Sequence, residues 1–109
     1  MSEVQHCQVV TTTDSHSAAQ GLARGAVEAR LAACAQVVGP VESTYRWQGE
    51  IASAQEWQVV FKTTVDRYAE LETHLRARHG YEVPEILCIL VQTGAPAYLE
   101  WITAETRPA

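Results

Sequence analysis

VESTYRWQGEIASAQEWQVVFKTT, residues 41–64, is the stretch that decides the fold. Tyr45 and Trp47 alternate with Thr44 and Arg46, the period-two pattern of a strand. Gln48-Gly49 reads as a tight turn between two alternating runs. Beyond it, Ile51, Trp57, Val59 and Phe61 alternate with Glu56, Gln58, Val60 and Lys62. The pattern predicts a long hairpin with two arms. Val59-Val60-Phe61 is apolar on both faces, so that end of the hairpin is expected to be covered on both sides.

Working outward, residues 3–13 are rich in Val and Thr and read as a first strand. Asp14, Ser15 and Ser17 are all candidate helix N-caps, and Ser17 with Gln20 makes a capping box. Ala18, Leu22, Ala26 and Ala29 recur at helical spacing, predicting an amphipathic helix that ends near Arg30 or Leu31. Residues 33–38 (ACAQVV) read as a second strand, stopped by Gly39-Pro40. After the hairpin, Asp66 or Thr64 can cap a second helix. Its stripe is Tyr68, Leu71, Leu75 and then Arg78 or His79, with Gly80 as the C′ residue. Residues 85–92 (EILCILVQ) read as another buried strand. Pro96 opens a last short helix, in which Tyr98, Leu99, Trp101 and Ile102 can dock.

The order is β-α-β-β-α-β plus a C-terminal helix, the ferredoxin-like α+β pattern, in a single domain over residues 1–109. Two helices then cover one face of the sheet, and no helix is expected over the other. Tyr45, Trp47 and Trp57 exceed what one small core absorbs. They are therefore expected at an interface with further copies of the chain.

Composition narrows the function. The chain has 109 residues, 47% apolar and 19% charged, with net charge −5. It lacks a Lys/Arg cluster, so no nucleic-acid partner is expected. It has no transmembrane run, so no membrane partner is expected. The start, MSEVQHCQVV, lacks a basic segment followed by an apolar block and a cleavage site, so a cytoplasmic location is expected. Cys7, Cys34 and Cys88 each sit in an apolar, strand-like context and are expected as reduced core residues. No nucleophilic triad, Walker-type loop or HExxH motif is legible, and no enzyme activity is expected.

ARHGYEVPEILC, residues 77–88, is the candidate site. His79, Glu82, Glu85 and Cys88 are spaced three apart, and each residue type binds metals. Strand alternation separates Glu85 from Cys88, which goes to the core. His79, Glu82 and Glu85 remain as candidate metal ligands, brought together by a bend at Val83-Pro84. Trp47, Lys62, Tyr81 and Arg78 are candidates to line a cleft between subunits.

LAAC (31–34), YRWQGEI (45–51), Glu56 with Lys62-Thr63, HGYEVPEI (79–86) and YLEW (98–101) together resemble the CutA divalent-cation-tolerance proteins, in order and spacing over nearly the whole chain. The resemblance implies a ferredoxin-like fold, a homotrimer built through the hairpin arms, and a link to copper and other divalent-cation tolerance, for which a non-catalytic role is expected. Copper or another divalent cation is the only cofactor it suggests, and a further protein partner is left open. Copper positions associated with some members fall here on Thr11, Arg78 and His79. Only His79 is a good ligand, and Gly80 stands where the family usually has Pro. Two other readings stay open. One is a sensor similar to the PII proteins, with Lys62, Arg46 or Arg78 meeting a small anion in an inter-subunit cleft. The other is a scaffold with no ligand.

Overall fold

The computed structural model describes residues 3–108. The elements are β1 (His6–Thr13), α1 (His16–Glu28), β2 (Cys34–Trp47), β3 (Glu50–Thr64), α2 (Tyr68–Arg78), β4 (Ile86–Val91) and α3 (Pro96–Glu105), with a 3-10 turn at Val65–Arg67 before α2. The four strands form one antiparallel sheet in the order β2-β3-β1-β4, the ferredoxin-like arrangement.

Local chemistry explains each boundary. Ser15, not Ser17, caps α1: its hydroxyl accepts from the Ala18 N–H at 3.1 Å. At the other end Arg30 takes φ 59. Its N–H donates to the Val27 carbonyl and the Leu31 N–H to the Ala26 carbonyl, a Schellman pair that satisfies two otherwise unpaired carbonyls. Gln48 (φ 50) and Gly49 (φ 83) form the left-handed hairpin turn that joins β2 to β3. Gly80, expected as a left-handed C′ residue, is not among the residues with positive φ. His79 instead leaves α2 in an extended conformation, which makes that turn unnecessary.

Gly39-Pro40 does not end the second strand. β2 continues through it, and the pairing with β3 slips by one residue between Val38 and Val41. A bulge at a sheet edge absorbs the missing proline N–H at little cost. Glycine is required beside it, because a Cβ on Gly39 would lie 2.6 Å from Cδ1 of Trp57. Trp57 also stacks on His16, with ring centroids 6.0 Å apart. Trp57 is thus engaged inside its own chain and packs, partly buried, against the core.

The core lies between α1, α2 and one sheet face. Cys7, Val9, Val59 and Phe61 meet Ala19, Leu22, Ala26, Leu31, Leu71 and Leu75, all buried. The alanines of α1 keep the helix close to the sheet. The opposite face is not bare, as the element count had suggested. α3 crosses one end of it: Nε2 of His6 lies 2.9 Å from both the Leu99 carbonyl and Oγ1 of Thr103. Arg107, just past α3, pairs with Asp66 at 3.0 Å. That arginine, behind the Thr64 hydroxyl bond, helps hold the Asp66 carboxyl below its ordinary range.

β4 is the main departure from expectation. It is the sheet edge, bonded among the described residues to β1 alone, and Leu87, Cys88, Ile89 and Leu90 are exposed. Cys88 is therefore not a core residue, Cys34 is half-buried, and only Cys7 is fully buried. Among the described residues no helix is long and apolar enough to cross a membrane.

Candidate functional site

The α2–β4 turn folds against the ends of β1 and β3, and a short chain of hydrogen bonds organises that corner. His79 ends α2. Its Nε2 lies 2.8 Å from the Thr12 carbonyl, and its Nδ1 accepts from the Tyr81 N–H at 3.0 Å. A carbonyl only accepts and an amide N–H only donates, so the ring carries its proton on Nε2. The Tyr81 ring then lies 5.0 Å from the imidazole, and its hydroxyl donates to Oε2 of Glu56 at 2.7 Å. Glu56 is 8% exposed. Burial, followed by the hydrogen bond and charge of Glu56, pushes the Tyr81 phenol well above the ordinary tyrosine range. Asp14 and Tyr45 are near enough to add to that shift. Tyr81 is therefore a neutral donor that satisfies a buried carboxylate.

Within one chain the expected metal trio does not assemble. His79, Glu82 and Glu85 do not gather, and among the described residues no three His, Cys, Asp or Glu side chains form a group able to hold a metal. Both nitrogens of His79 are committed to backbone partners, while Glu82 and Glu85 are exposed on either side of Val83-Pro84. The copper positions carried over from the family fit no better. The Thr11 hydroxyl is buried without a partner, and Arg78 is exposed and donates to the His74 carbonyl of its own helix. The residues present do not fit a copper ion at this corner.

Of the expected cleft residues, only Tyr81 reaches the corner within one chain. Lys62 sits six residues along β3 from Glu56, about 20 Å away, and donates to Oε1 of Gln36 at 2.9 Å. Trp47 lies at the tip of the hairpin, two residues before Gly49. Surface depressions occur elsewhere, beside the bulge (Pro40, Val41, Ser53, Ala54) and between α1 and β2 (Ala23, Val27, Ala35, Val37). The role of Glu56 as the buried partner of Tyr81 was missed. Its one signal was a lone carboxylate next to Trp57, at the start of an apolar run.

The cations divide sharply. Arg24, Arg30, Arg67, Arg76 and Arg107 each have a carboxylate within 4.0 Å. Among the described residues Arg46, Lys62 and Arg78 have none.

Comparison with known proteins places this geometry. The sequence model of a family described as "CutA1 divalent ion tolerance protein" matches residues 7–105. A curated relative from Thermus thermophilus, "Divalent-cation tolerance protein CutA", is 39% identical over 98 residues, covering 90% of this chain and 95% of the relative. A solved structure of the divalent cation tolerance protein (Cut A1) from the same organism superposes with TM-score 0.91 at 37% identity, covering 94% of this chain and 99% of that one. The structure of CutA1 from Oryza sativa superposes with TM-score 0.93 at 32% identity, covering 97% of each.

Proposed function

The chain belongs to the CutA1 divalent ion tolerance protein family, and from that premise we propose that it works as a non-catalytic homotrimer in the cell's tolerance of divalent cations. The observation that carries the reading is apolar surface left open on a complete fold. Leu87, Ile89 and Leu90 on β4 are exposed, as are Tyr45, Trp47 and Ile51 on the hairpin. Edge strands with that surface pair with further copies unless they are blocked. Sizing chromatography with light scattering tests this. Three chains per particle are expected, and a monomer at micromolar concentration overturns it. Copper held by His79 forms no part of the proposal.

A second reading has its own support. Arg46, Lys62 and Arg78, which have no carboxylate partner among the described residues, are available to a small anion where two chains meet. Calorimetric titration with phosphate and a panel of nucleotides tests it. Heat that disappears in Lys62→Ala supports an anion sensor, and absence of heat with every ligand rejects it.

A further inference from the structure

The seam between α1 and α2 holds a titratable group that nothing described so far uses. His74 lies on α2, one turn after Glu70 and one turn before Arg78. Its Nε2 is buried, and among the described residues it has no hydrogen-bond partner. That nitrogen faces α1, where a Cβ on Gly25 would lie 3.5 Å from it. Leu22 and Ala26 of α1 and Leu71 and Leu75 of α2 are buried on the same two helices, so the seam is apolar. The ring as a whole is half-buried, which keeps water close to it.

This placement suits only one form of the imidazole. The neutral ring can carry its proton on Nδ1 and leave Nε2 as a bare acceptor. The imidazolium needs an N–H on both nitrogens, and at Nε2 that is a charged donor with nothing to receive it. The charges around the contact do not relieve this. On α1, Arg24 and Glu28 flank Gly25 and pair with each other at 3.7 Å. On α2, Glu70 is held by Arg67 at 2.8 Å and Glu72 pairs with Arg76 at 3.7 Å. Arg78 donates to the His74 carbonyl at 3.1 Å and brings a like charge. Burial first, and then Arg78, hold the His74 imidazole below its ordinary range, and no group on the sheet adds to that shift.

We propose that His74 is an acid-sensitive latch on the α1–α2 seam. Neutral, the ring packs over Gly25 and closes the seam. On taking up one proton it turns out to solvent, and the helices part more readily. The seam lies in the helical layer, away from β4 and the hairpin tip, so the latch needs no second chain and stands apart from the proposed function. The closed seam has the lower pKa, so the open seam binds the proton more tightly. Closing is therefore fully favoured above about pH 6.5, the ordinary histidine value. It weakens as pH falls through that value toward the lowered one.

An imidazole NMR titration of the full-length protein reads the pKa, with His74→Gln assigning the resonance. Hydrogen exchange at about pH 7.5 and about pH 5, corrected for the intrinsic rate, reads the seam at the Leu22 and Ala26 amides. His74 should titrate below about 6.5. Protection should fall on acidification by up to about tenfold for each unit between the open and closed pKa values. His74→Leu, apolar and uncharged, should keep its protection over that range. Gly25→Ser puts a hydroxyl within reach of Nε2, so it should raise the His74 pKa and shrink the loss. A His74 pKa at or above the ordinary value, or the same acid-dependent loss in His74→Leu, overturns the proposal. Where His74→Leu fails to fold, His74→Gln takes its place in the exchange comparison.

Discussion

The two halves of the β2–β3 ribbon have the same backbone and opposite surroundings. Near the core, Val59 and Phe61 are completely buried beneath α1 and α2. Toward the tip, Trp47 is 59% and Ile51 70% exposed, though the same ladder of antiparallel pairs runs from Cys34↔Lys62 to Trp47↔Glu50. The halves differ in a second way: β3 lies between β1 and β2 over its buried half, where residues 57–64 pair with β1, while among the described residues the distal ones pair across the hairpin alone. An isolated two-stranded ribbon is marginal in water. The distal half carries aromatic and branched residues that its own chain leaves unused. In the proposed assembly another copy of the chain covers this arm.

The sharpest way to break this contrast is to truncate one large side chain in each half. Phe61→Ala should cost about 3–5 kcal/mol of stability, because the site is sealed and relaxes only in part. Trp47→Ala should cost the single chain almost nothing and weaken assembly most, since buried aromatics dominate interface energies. Urea denaturation monitors the first and sizing with light scattering the second. Equal stability losses in the two variants would mean that the arm is part of the chain's own core.

The boundary between the halves falls at Glu56, the last buried residue of β3 toward the tip. Tyr81 closes that boundary through its hydrogen bond. Tyr81→Phe keeps the ring and removes the donor, which leaves a buried carboxylate short of a partner. The expected cost is about 1–3 kcal/mol. It should be recovered in Tyr81→Phe combined with Glu56→Gln, because the neutral amide is cheaper to bury. Denaturation of the single and double variants supplies the comparison. No recovery in the double variant would show that the carboxylate is satisfied in another way.

The same contrast explains what the sequence revealed. The hairpin was legible because strict alternation flanks Gln48-Gly49, and the helices because Leu71, Leu75, Leu22 and Ala26 keep helical spacing. ILCILV in β4 misled, since a continuous apolar run looks the same whether a helix of its own chain or a neighbouring chain covers it. Gly39-Pro40 misled because a bulge and a strand end use the same residues. The corner was only half legible. His79 and Tyr81 stood out, but their partners are the Thr12 carbonyl and a carboxylate 25 residues away, contacts that only the tertiary fold creates. Spacing also hinted at a metal trio, because it shows which residues are near in the chain and not which atoms are already bonded.

The smallest effect is expected at Arg30, which tests the covered half from its far end, just before β2. Arg30 holds a left-handed backbone (φ 59) that costs a non-glycine residue about 1–2 kcal/mol. Glycine adopts it freely but loses more entropy on folding, by about 0.5–1 kcal/mol. The exposed 3.7 Å ion pair of Arg30 with Glu105 contributes little to offset this. The Schellman bonds and the bond from Arg67 to the Arg30 carbonyl use backbone atoms, so they survive the change. Arg30→Gly should therefore stabilise the chain by up to about 1 kcal/mol, seen as a higher urea midpoint at unchanged slope. It should leave particle size untouched, because Arg30 lies at the end of α1, far from the hairpin tip. A change in assembly from this substitution would mean that the two halves are coupled through β2, and the division at Glu56 would have to be abandoned.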